Sequence, residues 1–188
     1  GSPAAVTIVG PEAKAGPAVY GAGCSGGAPC DATPIEVGVD VPAGSVIAGN
    51  GTAAGVVVNG DPATAKSVFS ILARGIGVSG MTIQPGLLGS AGTGAAGIVY
   101  DAPAAAPGAE GIISDVVITG PRATPTVAGT GTGIVFPSTS GAAPTIGPNV
   151  TIRGGFFSMW VSGTASPRVV GSESAPTILR DAGWSCLV

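Results

Sequence analysis

Histidine is absent from this 188-residue chain, and with it every Ser–His or Cys–His pair in which an imidazole takes the nucleophile's proton. Charge is scarce too: seven basic and ten acidic residues make up 9% of the chain and leave a net charge of −3. A phosphate backbone is held by several clustered Lys or Arg, so nucleic acid is excluded as the main partner. Long apolar runs are missing. Stretches such as Gly55-Val56-Val57-Val58 and Val116-Val117-Ile118 fall far short of the roughly 18 residues a spanning helix needs, so no membrane span is expected. Helical periodicity is missing as well, because Gly or Pro interrupts nearly every window of a dozen residues.

What is present points to strands. The chain holds 22 Val and 14 Ile against 5 Leu, a bias toward β-branched side chains that pack on a pleated surface. The 34 Gly and 17 Pro reach the range of low-complexity chains, but the Val, Ile, Leu and Phe content is enough to bury a core, and a length of 188 residues fits one domain.

The short apolar runs repeat. Gly55-Val-Val-Val58, Gly97-Ile-Val-Tyr100 and Gly133-Ile-Val-Phe136 share one pattern at spacings of 42 and 36 positions. Met81-Thr82-Ile83-Gln84, Val116-Val117-Ile118-Thr119 and Val150-Thr151-Ile152-Arg153 share another at 35 and 34. Such periods mark repeat architectures, in which each unit stacks on its neighbours. In the second series Met81, Val116, Val150, Ile83, Ile118 and Ile152 point inward and the residues between them outward. Gly80, Asp115 and Asn149 precede these strands, where a residue tolerant of left-handed dihedrals is wanted. The predicted fold is an all-β, right-handed, single-stranded parallel β-helix, a solenoid. Asn50-Gly51, a type I′ hairpin signal between Ser45-Val-Ile47 and Gly55-Val-Val-Val58, keeps an antiparallel β-sandwich as the alternative.

The stretch Val41-Pro-Ala-Gly-Ser-Val-Ile-Ala-Gly49, with Val78-Ser-Gly-Met-Thr-Ile83 and Asn149-Val-Thr-Ile-Arg-Gly154, resembles coils of bacterial extracellular β-helix domains in the pectate-lyase-like superfamily. The resemblance covers residues 34 to 180 and implies a secreted or cell-surface protein. It also implies a division into residues 1–33, an N-terminal strand and capping loop, and residues 34–188, the coils. Uronic-acid lyases of that superfamily carry clustered Asp for calcium beside a proton-abstracting base. No such cluster accompanies Arg74, Arg122 or Arg153, so no catalytic role carries over.

Three cysteines remain. Cys24-Ser-Gly-Gly-Ala-Pro-Cys30 is a flexible loop whose ends can meet in a small disulfide, a pairing suited to an exported protein; two reduced buried thiols are the other reading. Cys186 has no evident partner, which suggests a chain cut from a longer one. No metal or other cofactor is expected, given the missing His and the cysteine spacing. Gly92-Thr-Gly-Ala-Ala-Gly97 spells G-x-G-x-x-G but precedes a strand, and so reads as a turn rather than a dinucleotide cradle.

Among the ten acids none share a ladder position. Asp115 aligns with Gly80 and Asn149, a relation that suits a hydrogen-bonded turn, and Asp101 aligns with Pro137. The outward Thr82, Gln84, Thr119, Thr151 and Arg153 form a polar strip with donors and acceptors for sugar hydroxyls. Phe156, Phe157, Trp160 and Trp184 gather near the C-terminal end, where packing against following sequence is expected. The expected function is a non-enzymatic structural or adhesive module that engages a glycan or another surface protein. A polysaccharide lyase or glycoside hydrolase whose site the sequence does not locate is the alternative.

Overall fold

In the computed structural model the described residues are 5–8, 18–21, 35–49, 55–60, 67–85, 95–120, 132–155, 157–180 and 184–187. They form strands and connections, with no helix among them. The early strands are β1 (Ala5–Ile8), β2 (Ala18–Gly21), β3 (Ile35–Val37), β4 (Val46–Gly49), β5 (Val56–Asn59), β6 (Phe69–Ile71), β7 (Gly77–Gln84) and β8 (Ala96–Tyr100). The later ones are β9 (Ile112–Thr119), β10 (Thr132–Phe136), β11 (Thr145–Ile146), β12 (Val150–Arg153), β13 (Phe157–Val161), β14 (Arg168–Val169), β15 (Ile178–Arg180) and β16 (Trp184–Leu187).

Two sheets result. The second runs β16-β13-β10-β8-β6-β3. The first has two halves that share the long strands β7 and β9: β1-β4-β7-β9-β11-β14 along one half, and β2-β5-β7-β9-β12-β15 along the other. The chain alternates between the sheets, so that each pass lays a second-sheet strand and then a first-sheet strand beside those of the pass before. Neither sheet closes on itself; β3 and β16 are edges of the second, and β14 and β15 lie at one edge of the first.

Every pairing between described strands is parallel, which rules out the antiparallel sandwich. Asn50 and Gly51 lie outside the described residues, but the strands flanking them do not form a hairpin. Instead β4 pairs with Val46–Ala48 opposite Gly77–Ser79, and β5 pairs with Val57–Asn59 opposite Thr82–Gln84, so both lie end to end along β7.

Register explains the composition. Ile47, Val78, Ile113, Ile146 and Val169 stack along the first half of the first sheet. Val58, Ile83, Ile118, Ile152 and Leu179 stack along the second half. In the second sheet Ile35, Phe69, Ile98, Ile134 and Met159 form one row. A parallel ladder puts the same position of each strand at the same depth, so each inward row must be apolar throughout. Met81, Val116, Val150, Ile83, Ile118 and Ile152 are all buried, as the 34–35-residue spacing predicts.

One of the two repeat series needs correction. Gly97–Tyr100 and Gly133–Phe136 do pair in register, in the second sheet. Gly55–Val58, grouped with them on pattern, belongs to the first sheet, where Val57 and Val58 face Thr82 and Ile83. A glycine followed by β-branched residues looks the same on any inward face, so the pattern alone does not separate the sheets.

The bend dividing β7 and β9 has a local cause. Gly80, Asp115 and Asn149 have φ of 69°, 54° and 56°, and the register brackets Gly80 and Asp115 between paired neighbours. A left-handed residue turns the strand, and glycine, Asp and Asn are the types that adopt it at least cost.

Candidate functional site

The outward face of the second half of the first sheet carries all five residues of the expected strip. Burial alternates along β12, where Val150 and Ile152 are buried, Thr151 is half-buried and Arg153 is exposed; β7 repeats this over Met81–Gln84. Side chains two apart therefore share the outer face.

Two parallel rows follow from the register. One runs Val57, Thr82, Val117, Thr151, Ile178; the other runs Asn59, Gln84, Thr119, Arg153, Arg180. Neighbours within a row are separated by about 4.8 Å, the spacing between strands. Arg153 Nε donates to Thr119 Oγ1 at 3.3 Å, tying two strip residues from consecutive passes. Asn59 Oδ1 is buried without a hydrogen-bond partner among the described residues, at the other end of the polar row. The strip thus offers amide, hydroxyl and guanidinium groups in line, with donors in the majority toward Arg153 and Arg180.

Sequence reasoning stopped short at both ends of this strip. Arg180 and Ile178 stand 27 positions after Arg153 and Thr151, and Asn59 and Val57 stand 25 before Gln84 and Thr82. A search tuned to 34–35 residues passes over them. Their signal is the polar residue that closes each run, since Val56-Val57-Val58-Asn59 and Ile178-Leu179-Arg180 both end an apolar run on a polar residue.

Among the described acids, Glu36 lies on β3 and Asp115 within β9, while Asp40, Asp101, Glu110 and Glu173 lie in connections between strands. Asn149 Nδ2 donates to Asp115 Oδ1 at 2.9 Å, the hydrogen-bonded turn that their alignment suggested. Thr139 Oγ1 donates to Asp101 Oδ1. Glu12, Asp31, Asp61 and Asp181 lie outside the described residues, as do Cys24, Cys30, Phe156 and Arg122. Cys186 falls on β16, whose backbone pairs it with Met159. Phe157 is buried, with its ring centroid 5.5 Å from that of half-buried Trp160. Among the described residues no group of three or more His, Cys, Asp or Glu could hold a metal ion, and no helix is long and apolar enough to cross a membrane.

No family model, curated protein or solved structure matches this chain.

Proposed function

We propose that the chain is a right-handed parallel β-helix module, similar in kind to pectate-lyase-like coils, from a secreted or cell-surface bacterial protein. It acts without catalysis, engaging a glycan or another surface protein through Thr82, Gln84, Thr119, Thr151 and Arg153. The observation that carries this reading is the register that sets these five side chains on one outward face over three consecutive passes. A polymer with a repeating unit meets a polar side chain at each pass, and hydroxyl, amide and guanidinium groups all bond to sugar hydroxyls. The engagement of Asp101 by Thr139 and of Asp115 by Asn149 adds support, since both carboxylates accept hydrogen bonds from neighbouring side chains.

A glycan array probed with the full chain and with a Thr119→Ala/Arg153→Gln variant tests the reading. Binding of a defined glycan class by the parent, weakened at least tenfold in the variant at unchanged melting temperature, is the expected result. Equal binding by both proteins removes the strip from the function.

A further inference from the structure

A groove of about 350 Å³ crosses the outward face of the other half of the first sheet, over β4, β7 and β9. That volume falls within the range of roughly 300–1,000 Å³ seen for small-molecule sites. Its two apolar walls are Val46 and Ile112, the first residues of β4 and β9, and Ile112 is 53% exposed. Between them in the register lies Gly77. A Cβ there would meet Ile112 O at 3.1 Å and Val46 Cγ2 at 3.3 Å, so glycine leaves the floor bare where any other residue would crowd it.

Two residues further along, Ser79 and Ser114 are direct register partners, and both line the groove. Their half-buried side chains present two hydroxyls on adjacent strands about 4.8 Å apart. Glu110, exposed in the connection that leads into β9, is the only ionisable residue of the lining among the described residues. The groove therefore combines apolar walls, a pair of hydroxyls and one carboxylate.

We propose that this groove binds an amino sugar residue. The ring's C–H face packs between Val46 and Ile112, its hydroxyls bond to Ser79 and Ser114, and its ammonium faces Glu110. A purely apolar ligand would leave the serine hydroxyls and Glu110 to be desolvated without partners, which costs binding energy. An acidic sugar would bring a second negative charge to Glu110. The site lies on a different half of the sheet from the Thr82–Arg153 strip and stands or falls independently of it.

The test uses the full chain with ¹³C-labelled Val and Ile methyl groups, titrated separately with glucosamine, glucose, glucuronate and lysine amide. The expected result is saturable shifts of the Val46 and Ile112 methyls with glucosamine. Glucose should bind more weakly by up to about fivefold, the range of an exposed ion pair, and glucuronate should leave the methyls unmoved over the same range. Ser79→Ala and Ser114→Ala should each weaken glucosamine on the order of fivefold, the usual weight of one hydrogen bond. Glu110→Gln should lower glucosamine affinity to that of glucose and leave glucose unchanged. All three positions face outward, so an unchanged melting temperature shows that the variants are folded. The proposal is overturned if glucosamine leaves both methyls in place, if glucuronate binds equally, or if lysine amide matches glucosamine.

Discussion

Tyr100 closes the inner end of a turn with one hydroxyl. Its ring is buried and stacks on Phe136, with centroids 5.9 Å apart. Its Oη donates to Ile76 O at 2.7 Å and accepts from Ile76 N at 2.8 Å, satisfying both backbone groups of a buried residue. Burial pushes the phenol up from 10.0 to about 12, against a smaller opposing pull from the Ile76 hydrogen bond. The neutral form is thus favoured in the folded protein. The stability this contributes is fully present below pH 10 and is lost as pH rises toward 12, where the unfolded chain has already released the proton. The parent should lose about 2–3 kcal/mol over that window beyond what Tyr100→Phe loses, measured by urea unfolding at each pH. At neutral pH Tyr100→Phe itself should cost about 1–3 kcal/mol, because Ile76 keeps a buried donor and acceptor without partners.

Asn149 combines a left-handed backbone with a hydrogen bond to Asp115. Asn149→Ala should cost about 1–2 kcal/mol in thermal or chemical unfolding, while Asn149→Gly, which keeps the dihedral at no steric cost, should cost less. Equal losses would mean that the dihedral contributes nothing. This residue type was legible in the sequence, since Gly80, Asp115 and Asn149 each precede an alternating strand. Tyr100's role was not, because its partner Ile76 lies 24 positions away in a turn with no pattern of its own.

At the scale of the element, glycines in the second sheet leave room for side chains of the first. A Cβ on Gly133 of β10 would lie 2.3 Å from Ile152 Cγ2 and 2.3 Å from Ser158 O, and one on Gly97 of β8 would lie 2.7 Å from Ile118 Cγ2. Backbone φ is not the constraint at these positions; space is. Gly133→Ala should force β10 away from β12 and destabilise by about 1–3 kcal/mol, read as a lower urea midpoint. An unaffected midpoint would show that the sheets part without penalty. The Gly-Ile-Val-aromatic pattern exposed these glycines in the sequence, but it also drew in Gly55, which belongs to the other sheet. The amino-sugar groove had no comparable signal. Ser79 meets Ser114 and Ile112 only through parallel register, and Glu110 joins them from the connection before β9, so the sequence showed it only as one of ten scattered acids.

Across the whole molecule, a single inward row samples the middle and the end of the stack. Ile113 and Ile146 are fully buried, whereas Val169, in the same row on β14, is 45% exposed. Ile113→Ala should cost about 2–5 kcal/mol, the range for a cavity in a packed core. Val169→Ala should cost less than about 1 kcal/mol, since half of its surface already meets solvent. Comparable losses at the two sites would mean that Val169 is covered in solution.

The links that return the chain from the first sheet to the second differ widely in length while the ladder keeps its phase. Residues 85–95 and 120–131 connect β7 to β8 and β9 to β10, whereas residues 154–156 suffice between β12 and β13. The inner rows run through all of these passes without slipping. That border is consequently where an engineer could graft an antigenic loop or affinity tag, because the scaffold already accepts a long or a short link there without losing its alignment.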